Sequence, residues 1–235
     1  MSPIIVGHRG VAGTHPENTR SSIEQAIALG LTWVEVDVQP TKDNILVVCH
    51  DHTLERCSDG QGRVDDRTLA ELKTLDFGGW KGAEFNGEPI MTLHELLTLA
   101  KETKLNLNLE VKVDKHDAQH VVTLLKEALA LSQIDKDQVL LSSFSHQVVV
   151  SLSQTLPEYR LGLISEQLSE QEYQLLQTVN AFSCHLNHEN TTNDDLSKLA
   201  KSGVQVWCYT VNMPNEFPLL TQVNAVFTDY PSRFC

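Results

Sequence analysis

No apolar run in this sequence approaches the roughly 20 residues needed to cross a bilayer. The N-terminus, Met1-Ser2-Pro3-Ile4-Ile5-Val6-Gly7, lacks the basic start and long apolar stretch of a secretory signal. Both absences set the expectation of a cytoplasmic protein. Positive charge is scarce: 18 Lys and Arg stand against 31 Asp and Glu, a formal net charge of −13. So acidic a surface repels nucleic-acid backbones and anionic lipids, so neither a nucleic-acid partner nor stable membrane association is expected. Any phosphate site must then be local, built from a metal and a few placed cations. Cysteine is sparse and unpatterned: Cys49, Cys57, Cys184, Cys208 and Cys235 are odd in number and show no CxxC spacing. Reduced thiols fit this better than a disulfide frame or a zinc knot. No fixed-length repeat is visible, which excludes a solenoid.

What is present is an alternation of short apolar strands and helical patterns. Ile4–Gly7 reads as a buried strand, followed by a helix capped at Asn18 or Thr19 and stopped by Gly30. Val34–Asp37 is a second strand, and Ile45–His50 a hairpin return after the turn Lys42-Asp43-Asn44. Residues 51–91, rich in Gly and Asp, break the rhythm; they read as an insertion with a short helix near Leu69–Leu75, a cap beside the site. Thr92-Leu93-His94-Glu95 is a capping box opening a helix to about Thr103. Strands then follow at Asn106–Val111, Val139–Ser142, Arg160–Ile164, Ala181–His185, Val204–Thr210 and Ala225–Thr228, with helices between them, the last near Pro214–Leu220. With the hairpin return set aside, eight strands and their crossovers predict a closed TIM (β/α)8 barrel, one domain over residues 1–235 carrying the 51–91 insertion after its second strand.

In such a barrel the strand C-termini face the active site, and polar residues sit at those ends. They are His8-Arg9-Gly10, Glu35-Val36-Asp37, Glu110-Val111-Lys112, Ser143-Phe144, Tyr209 and Thr228-Asp229. Side chains alternate with period two, so Glu35 and Asp37 share one face, as do Glu110 and Lys112. Carboxylates gathered in a low-dielectric interior repel one another. Two resolutions are open: pairing with Lys112 and Arg9, or a divalent cation, for which three hard oxygens suit Mg2+ or Ca2+ better than Zn2+. The third acid, on a neighbouring strand, favours the cation. Arg9 offers a planar fork of donors for phosphate oxygens, and Gly10 lets the chain turn sharply beside a ligand. His8 and His50 are candidate acid and base. His52, His94, His116, His120, His146 and His188 sit at loop or helix-surface positions without a nameable partner; His15 and His185 stay open, His185 as a possible pocket wall. For Glu17 and Asn18 helix capping is a sufficient explanation, and access to the metal site is the sharper alternative. Trp33, Trp80 and Trp207 read as core or insertion packing.

Taken in order, several segments resemble the glycerophosphodiester phosphodiesterase family: His8-Arg9-Gly10, Pro16-Glu17-Asn18-Thr19, Glu35-Val36-Asp37-Val38, His50-Asp51-His52-Thr53-Leu54-Glu55-Arg56 and Gly60-Gln61-Gly62. The match runs on through Pro89-Ile90-Met91-Thr92-Leu93, Leu109-Glu110-Val111-Lys112, Ser142-Ser143-Phe144, Tyr209-Thr210-Val211-Asn212 and Thr228-Asp229-Tyr230-Pro231. Each motif alone is modest; the ordered set is specific. The resemblance, to the cytoplasmic bacterial type, implies metal-dependent hydrolysis of small-molecule glycerophosphodiesters to sn-glycerol 3-phosphate and an alcohol by a monomer or homodimer. It implies one divalent cation, Mg2+ or Ca2+, on Glu35, Asp37 and Glu110. It further implies an acid/base pair at His8 and His50, phosphate contacts at Arg9 and Lys112, and substrate contacts at Phe144 and Tyr209. Many members carry Trp where this chain has Tyr209; here Trp207 lies two residues earlier on the same face. A lysophospholipase D or phosphatidylinositol-phospholipase type barrel is the competing enzyme, and a non-catalytic binding barrel the competing non-enzyme.

Overall fold

The computed structural model of the protein describes residues 2–234. Cys235, one of the five thiols expected to be reduced, lies outside them; Cys49, Cys57, Cys184 and Cys208 are free and buried. The strands are β1 (Ile4–His8), β2 (Trp33–Pro40), β3 (Leu46–Val48), β4 (Met91–Thr92), β5 (Asn106–Val111), β6 (Val139–Ser143), β7 (Arg160–Ser165), β8 (Ser183–Asn187), β9 (Gln205–Tyr209) and β10 (Ala225–Thr228). Eight of them run parallel in the order β1-β2-β5-β6-β7-β8-β9-β10, and β10 pairs back to β1, closing a TIM barrel. The hairpin expected after the second strand is β3, antiparallel to β2, with β4 antiparallel beyond it.

Barrel strands are covered on both faces, so they need apolar residues on both. All eight residues of β2 are buried. One face packs outward on the helices α1 (Arg20–Ala28), α2 (Leu69–Leu72), α3 (Leu93–Thr103), α4 (Ala118–Ser132), α5 (His146–Thr155), α6 (Glu170–Thr178) and α7 (Asn193–Lys201). α3, for instance, buries Leu93, Leu96, Leu97 and Ala100 at helical spacing. The other face fills the barrel with Val6, Trp33, Leu140, Trp207, Ala225 and Phe227. Each of the long helices starts on a Ser, Thr or Asp side chain, with full capping boxes at Thr92 and Glu95, Ser169 and Glu172, and Thr192 and Asp195. No helix among the described residues is long and apolar enough to cross a membrane.

Between β3 and β4 the chain builds a small core of its own from Val47, Cys49, Leu54, Val64, Leu72, Phe77 and Ile90. Its short helix ends at Leu72 rather than Leu75. The segment is tied to the barrel by Lys81 Nζ donating to the Ala12 carbonyl and by the Ser21 N–H donating to Glu88. Two expectations are corrected. The helix expected near Pro214–Leu220 is two single 3-10 turns, Pro214–Glu216 and Leu220–Gln222, because Pro218 has no N–H to continue a helix. The strand expected at Ala181–His185 runs from Ser183 to Asn187, placing His185 mid-strand. Trp33 and Trp207 are core residues, whereas Trp80 is 39% exposed on the β3–β4 segment, its indole N–H donating to the Phe77 carbonyl.

The turn that leaves β1 is sharp and tightly packed. Arg9 and Gly10 both take left-handed backbone, φ 50° and 87°. Ser22 on α1 pins the turn, its hydroxyl donating to the Arg9 carbonyl and accepting from the Val11 N–H. A Cβ on Gly10 would lie 2.3 Å from Ser22 Oγ and 2.8 Å from Ser22 backbone. We expect Gly10→Ala to cost about 1–3 kcal/mol of stability, read as a lowered urea midpoint; an unchanged midpoint would contradict this account of the turn.

Candidate active site

The strand register gathers the acids. His8 stands opposite Glu35 on β2, Glu35 opposite Asn108 on β5, and Asp37 opposite Glu110. Because side chains alternate along each strand, all of these point into the barrel mouth. One carboxylate oxygen from each of Glu35, Asp37 and Glu110 lies within 4.8 Å of the others. They meet a cavity of about 250 Å3 lined by His8, Arg9, Glu35, His50, Glu110, Lys112, Phe144 and Tyr209 among others. Asp37 lies behind that lining, 1% exposed.

Both proposed resolutions of the crowded acids have a footing. Lys112 Nζ lies 3.1 Å from Asp37 Oδ1 and 2.5 Å from Glu110 Oε1; Arg9 Nε lies 3.4 Å from Asp37 Oδ2. Yet two cations face three carboxylates, and Arg9 is also engaged by Glu17 at 2.7 Å. Burial would raise the pKa of Asp37, but Lys112, Arg9 and His50 outweigh it and hold the group well below the carboxylate range. Glu35 has less relief, from the Arg9 charge and the Arg9 N–H that donates to Oε2. Burial, with Asp37 and Glu110 beside it, pushes its pKa well above the usual value, and Oε1 is buried without a hydrogen-bond partner. Glu110 is raised to about 7, by burial and Asp37 against the opposing pull of Lys112. Three hard oxygens, one orphaned and one negative charge in excess fit a divalent cation.

Each candidate histidine is braced by a carboxylate. His8 Nδ1 and Asp229 Oδ1 are 2.6 Å apart, and Asp229 is itself held by the Asn212 amide at 2.7 Å. His8 Nε2 lies 3.9 Å from Glu35 Oε2. His50 Nδ1 and Asp51 Oδ1 are also 2.6 Å apart. Burial lowers the His50 pKa, Asp37 opposing and Lys112 and Arg9 adding to it. Arg56 forks onto both oxygens of Asp51 and both of Glu17. A continuous ion-pair chain therefore runs from Arg9 through Glu17, Arg56 and Asp51 to His50. Phe144 and Tyr209 meet edge-on at 5.9 Å across the mouth, with Phe144 44% exposed and the Tyr209 hydroxyl donating to the Ser165 carbonyl.

A model of the glycerophosphoryl diester phosphodiesterase family matches residues 8–233. The chain belongs to this family. It is 30% identical over 233 residues to the glycerophosphodiester phosphodiesterase of Caldanaerobacter subterraneus subsp. tengcongensis, covering 98% of this chain and 96% of the relative. It is 32% identical over 234 residues to the glycerophosphodiester phosphodiesterase of Bacillus altitudinis, covering 97% and 95%. Among solved structures, an Oleispira antarctica phosphodiesterase in complex with its product sn-glycerol-3-phosphate superposes with a TM-score of 0.94 at 32% identity, covering 99% of this chain and 95% of that one.

Some members of this candidate site escaped the sequence reading. Glu17 and Asn18 do not cap the first helix; Thr19 does, its hydroxyl accepting from the Ser22 N–H. Asn18, at φ 59°, donates to Asp37 Oδ2 at 2.9 Å, which places it against the acid cluster. Asp51, Arg56 and Asn108 carried no expectation. Asn108 was within reach, since it shares the period-two face of Glu110 and Lys112. The Arg56–Glu17 pairing had no signal, because it crosses between loops 39 residues apart, whereas Asp51 pairs within its own segment, with His50 and Arg56. Several histidines set aside as partnerless have partners: His52 with Gln39, His116 with Asp65, His120 with Asn44 and His188 with the Tyr209 carbonyl. His185 lines the cavity.

The raised acids set the pH dependence. A buried carboxyl with an elevated pKa opposes folding as pH rises from its unfolded value of about 4.3 through its folded value; for Glu110 that value is about 7. A cation that takes the carboxylate form removes this penalty. The gain in Tm on adding Mg2+ or Ca2+ to chelated protein is therefore expected to be larger at pH 8 than at pH 6, with protons released on binding. A gain independent of pH, measured by calorimetry, would count against the assignment.

Proposed function

We propose that this chain is a metal-dependent phosphodiesterase that hydrolyses glycerophosphodiesters such as glycerophosphocholine and glycerophosphoethanolamine to sn-glycerol 3-phosphate and an alcohol. The observation that carries the reading is the buried Glu35–Asp37–Glu110 cluster with His8 and His50, each on its own carboxylate, lining the same cavity. Family membership and the product-bound Oleispira relative support it.

Glu35, Asp37 and Glu110 would hold the cation, Mg2+ or Ca2+ by its oxygen donors. When bound, the cation supplies Lewis-acid charge to the phosphodiester. Arg9 and Lys112 contribute the remaining positive charge, Arg9 as a fork and Lys112 as a point charge, both kept protonated by their acidic neighbours. His50, its pKa lowered by burial, is neutral at pH 7 and suited to accept the nucleophile's proton. His8 holds Nδ1 against Asp229, which leaves Nε2 to deliver a proton to the departing alcohol. The nucleophile is water or the substrate's own 2-hydroxyl, which would attack intramolecularly. Phe144 and Tyr209 form an aromatic wall for the substrate. On this reading the whole chain works as one barrel unit, and residues 51–91 act as its cap, delivering Asp51 and Arg56 to the rim.

The test is release of sn-glycerol 3-phosphate from glycerophosphocholine. His8→Ala and His50→Ala are each expected to lower kcat at least roughly 100-fold, the usual share of a general acid or base. Exhaustive chelation is expected to abolish turnover and Mg2+ or Ca2+ to restore it. Near wild-type rates in the double histidine variant, or full activity after chelation, would refute the mechanism.

A further inference from the structure

His8 and His50 are placed by different means. His8 ends strand β1 and stands in register with Glu35 of β2, so the barrel ladder holds its backbone. His50 lies beyond the end of β3, in chain without regular structure. Its ring depends on a brace, and Asp51 supplies it at 2.6 Å from Nδ1. Asp51 is gripped in turn by Arg56, whose Nε donates to Oδ2 at 2.6 Å and Nη2 to Oδ1 at 2.9 Å. The same guanidinium reaches Glu17 in the turn after β1, Nη1 donating to Oε2 and Nη2 to Oε1, both at 2.8 Å. Glu17 Oε1 also accepts from Arg9 at 2.7 Å. His50 and Arg9 line the catalytic cavity, and Arg56 does not.

Stability is a poor explanation for this double fork. The Arg56 side chain is 45% exposed, and exposed ion pairs gain little against the entropy of ordering a long side chain. The segment that carries Arg56 is docked without it, by its own apolar core and by the ties from Lys81 and Glu88. What two bidentate contacts supply is direction, since a planar guanidinium fixes the orientation of each carboxylate it holds. Hydrogen bonds from Arg56 outweigh partial burial and keep the Asp51 carboxyl well below the usual carboxylate range. Asp51 therefore stays an acceptor and holds the proton of His50 on Nδ1, which leaves the lone pair on Nε2.

We propose that Arg56 is a positioning residue for catalysis: by strapping Asp51 to Glu17 it fixes the direction and tautomer of the His50 imidazole relative to Arg9, without touching the substrate. The strap joins the segment after β3 to the turn after β1, so the proton acceptor and the phosphate-binding arginine keep one geometry. A misplacement of about 1 Å at a reacting group costs on the order of 100-fold in rate, so a group that only orients His50 has a measurable effect. The inference rests on the phosphodiesterase reading above, in which His50 takes the nucleophile's proton, and adds the residue that holds His50 in place.

The test is a double-mutant cycle on glycerophosphocholine turnover by the Mg2+-loaded protein, with Arg56→Ala, His50→Ala and the variant carrying both. Arg56→Ala is expected to lower kcat at least roughly tenfold with KM held within about twofold, because geometry is lost and binding is not. In the His50→Ala background the same change is expected to cost less than about twofold, since the two residues act as a unit. A residue that only stabilises the fold slows both backgrounds by the same factor. Guanidinium chloride, kept well below denaturing concentration, is expected to restore part of the kcat of Arg56→Ala and none of that of His50→Ala. Arg56→Lys keeps the charge without the fork, so its kcat is expected to fall at least roughly threefold; it stands as the test if Arg56→Ala does not fold. Wild-type kcat in the arginine variants, a loss confined to KM, or an equal loss in both backgrounds overturns the proposal. Absence of wild-type turnover, or an undiminished His50→Ala, would sink the underlying reading instead; with both as expected, an unaffected Arg56→Ala sinks the role of Arg56 alone.

Discussion

Three carboxylates share one low-dielectric pocket with only two cations to oppose them, and much of the barrel mouth follows from that imbalance. Asp37, flanked by Lys112, Arg9 and Asn18, is stable as an anion. Glu35, with one oxygen unpartnered, is not. Burying an excess charge is expensive enough that the rest of the site is arranged around it. The Arg9 backbone N–H donates to Glu35, Asn18 takes a left-handed conformation to reach Asp37, and Ser22 holds the turn between them. Left-handed backbone at a non-glycine residue persists only where its surroundings compel it. Of the six described non-glycine residues in that conformation, Arg9 and Asn18 are the two that bring loop atoms to the buried acids.

The division of labour between rigid and irregular parts is the second theme. Strands β2 and β5 supply the acids because their register is held by two buried faces. A one-residue slip would turn Glu35, Asp37 and Glu110 out into the helix layer and put valines and leucines at the mouth. Loops supply the groups that tune the site: Asp51 and Arg56 from the segment after β3, Glu17 from the turn after β1, Asp229 from the end of β10. The two histidines are thereby braced differently. His8 leans on a carboxylate held by a neutral amide, His50 on one already forked by an arginine.

Much of this was legible in the residues. The eight-strand count, the hairpin after the second strand and the facing of Glu35 with Asp37 and of Glu110 with Lys112 all follow from apolar runs and period-two alternation. The misreadings share a cause. Asn18 and Glu17 precede a helix and look like caps, because local chemistry offers a sufficient role; their partners Asp37 and Arg56 lie 19 and 39 residues away in sequence. The stretch 214–220 carries helix-compatible residues, but Pro218 interrupts it and only isolated 3-10 turns form. The four described thiols, Cys49, Cys57, Cys184 and Cys208, are free and buried.

By itself the sequence determined the alternation of strand and helix, the closure those eight units demand, and the set of charged residues placed at strand ends. These are consequences of patterns spanning a few residues, where hydrophobic period and capping chemistry act directly. Tertiary structure alone decided which carboxylate is pushed towards its neutral form, which acid braces which histidine, and that Arg56 joins Glu17 to Asp51. Those outcomes depend on distances between segments far apart in the chain, and electrostatic and hydrogen-bond energies take their value only once folding has set those distances and removed the water between them.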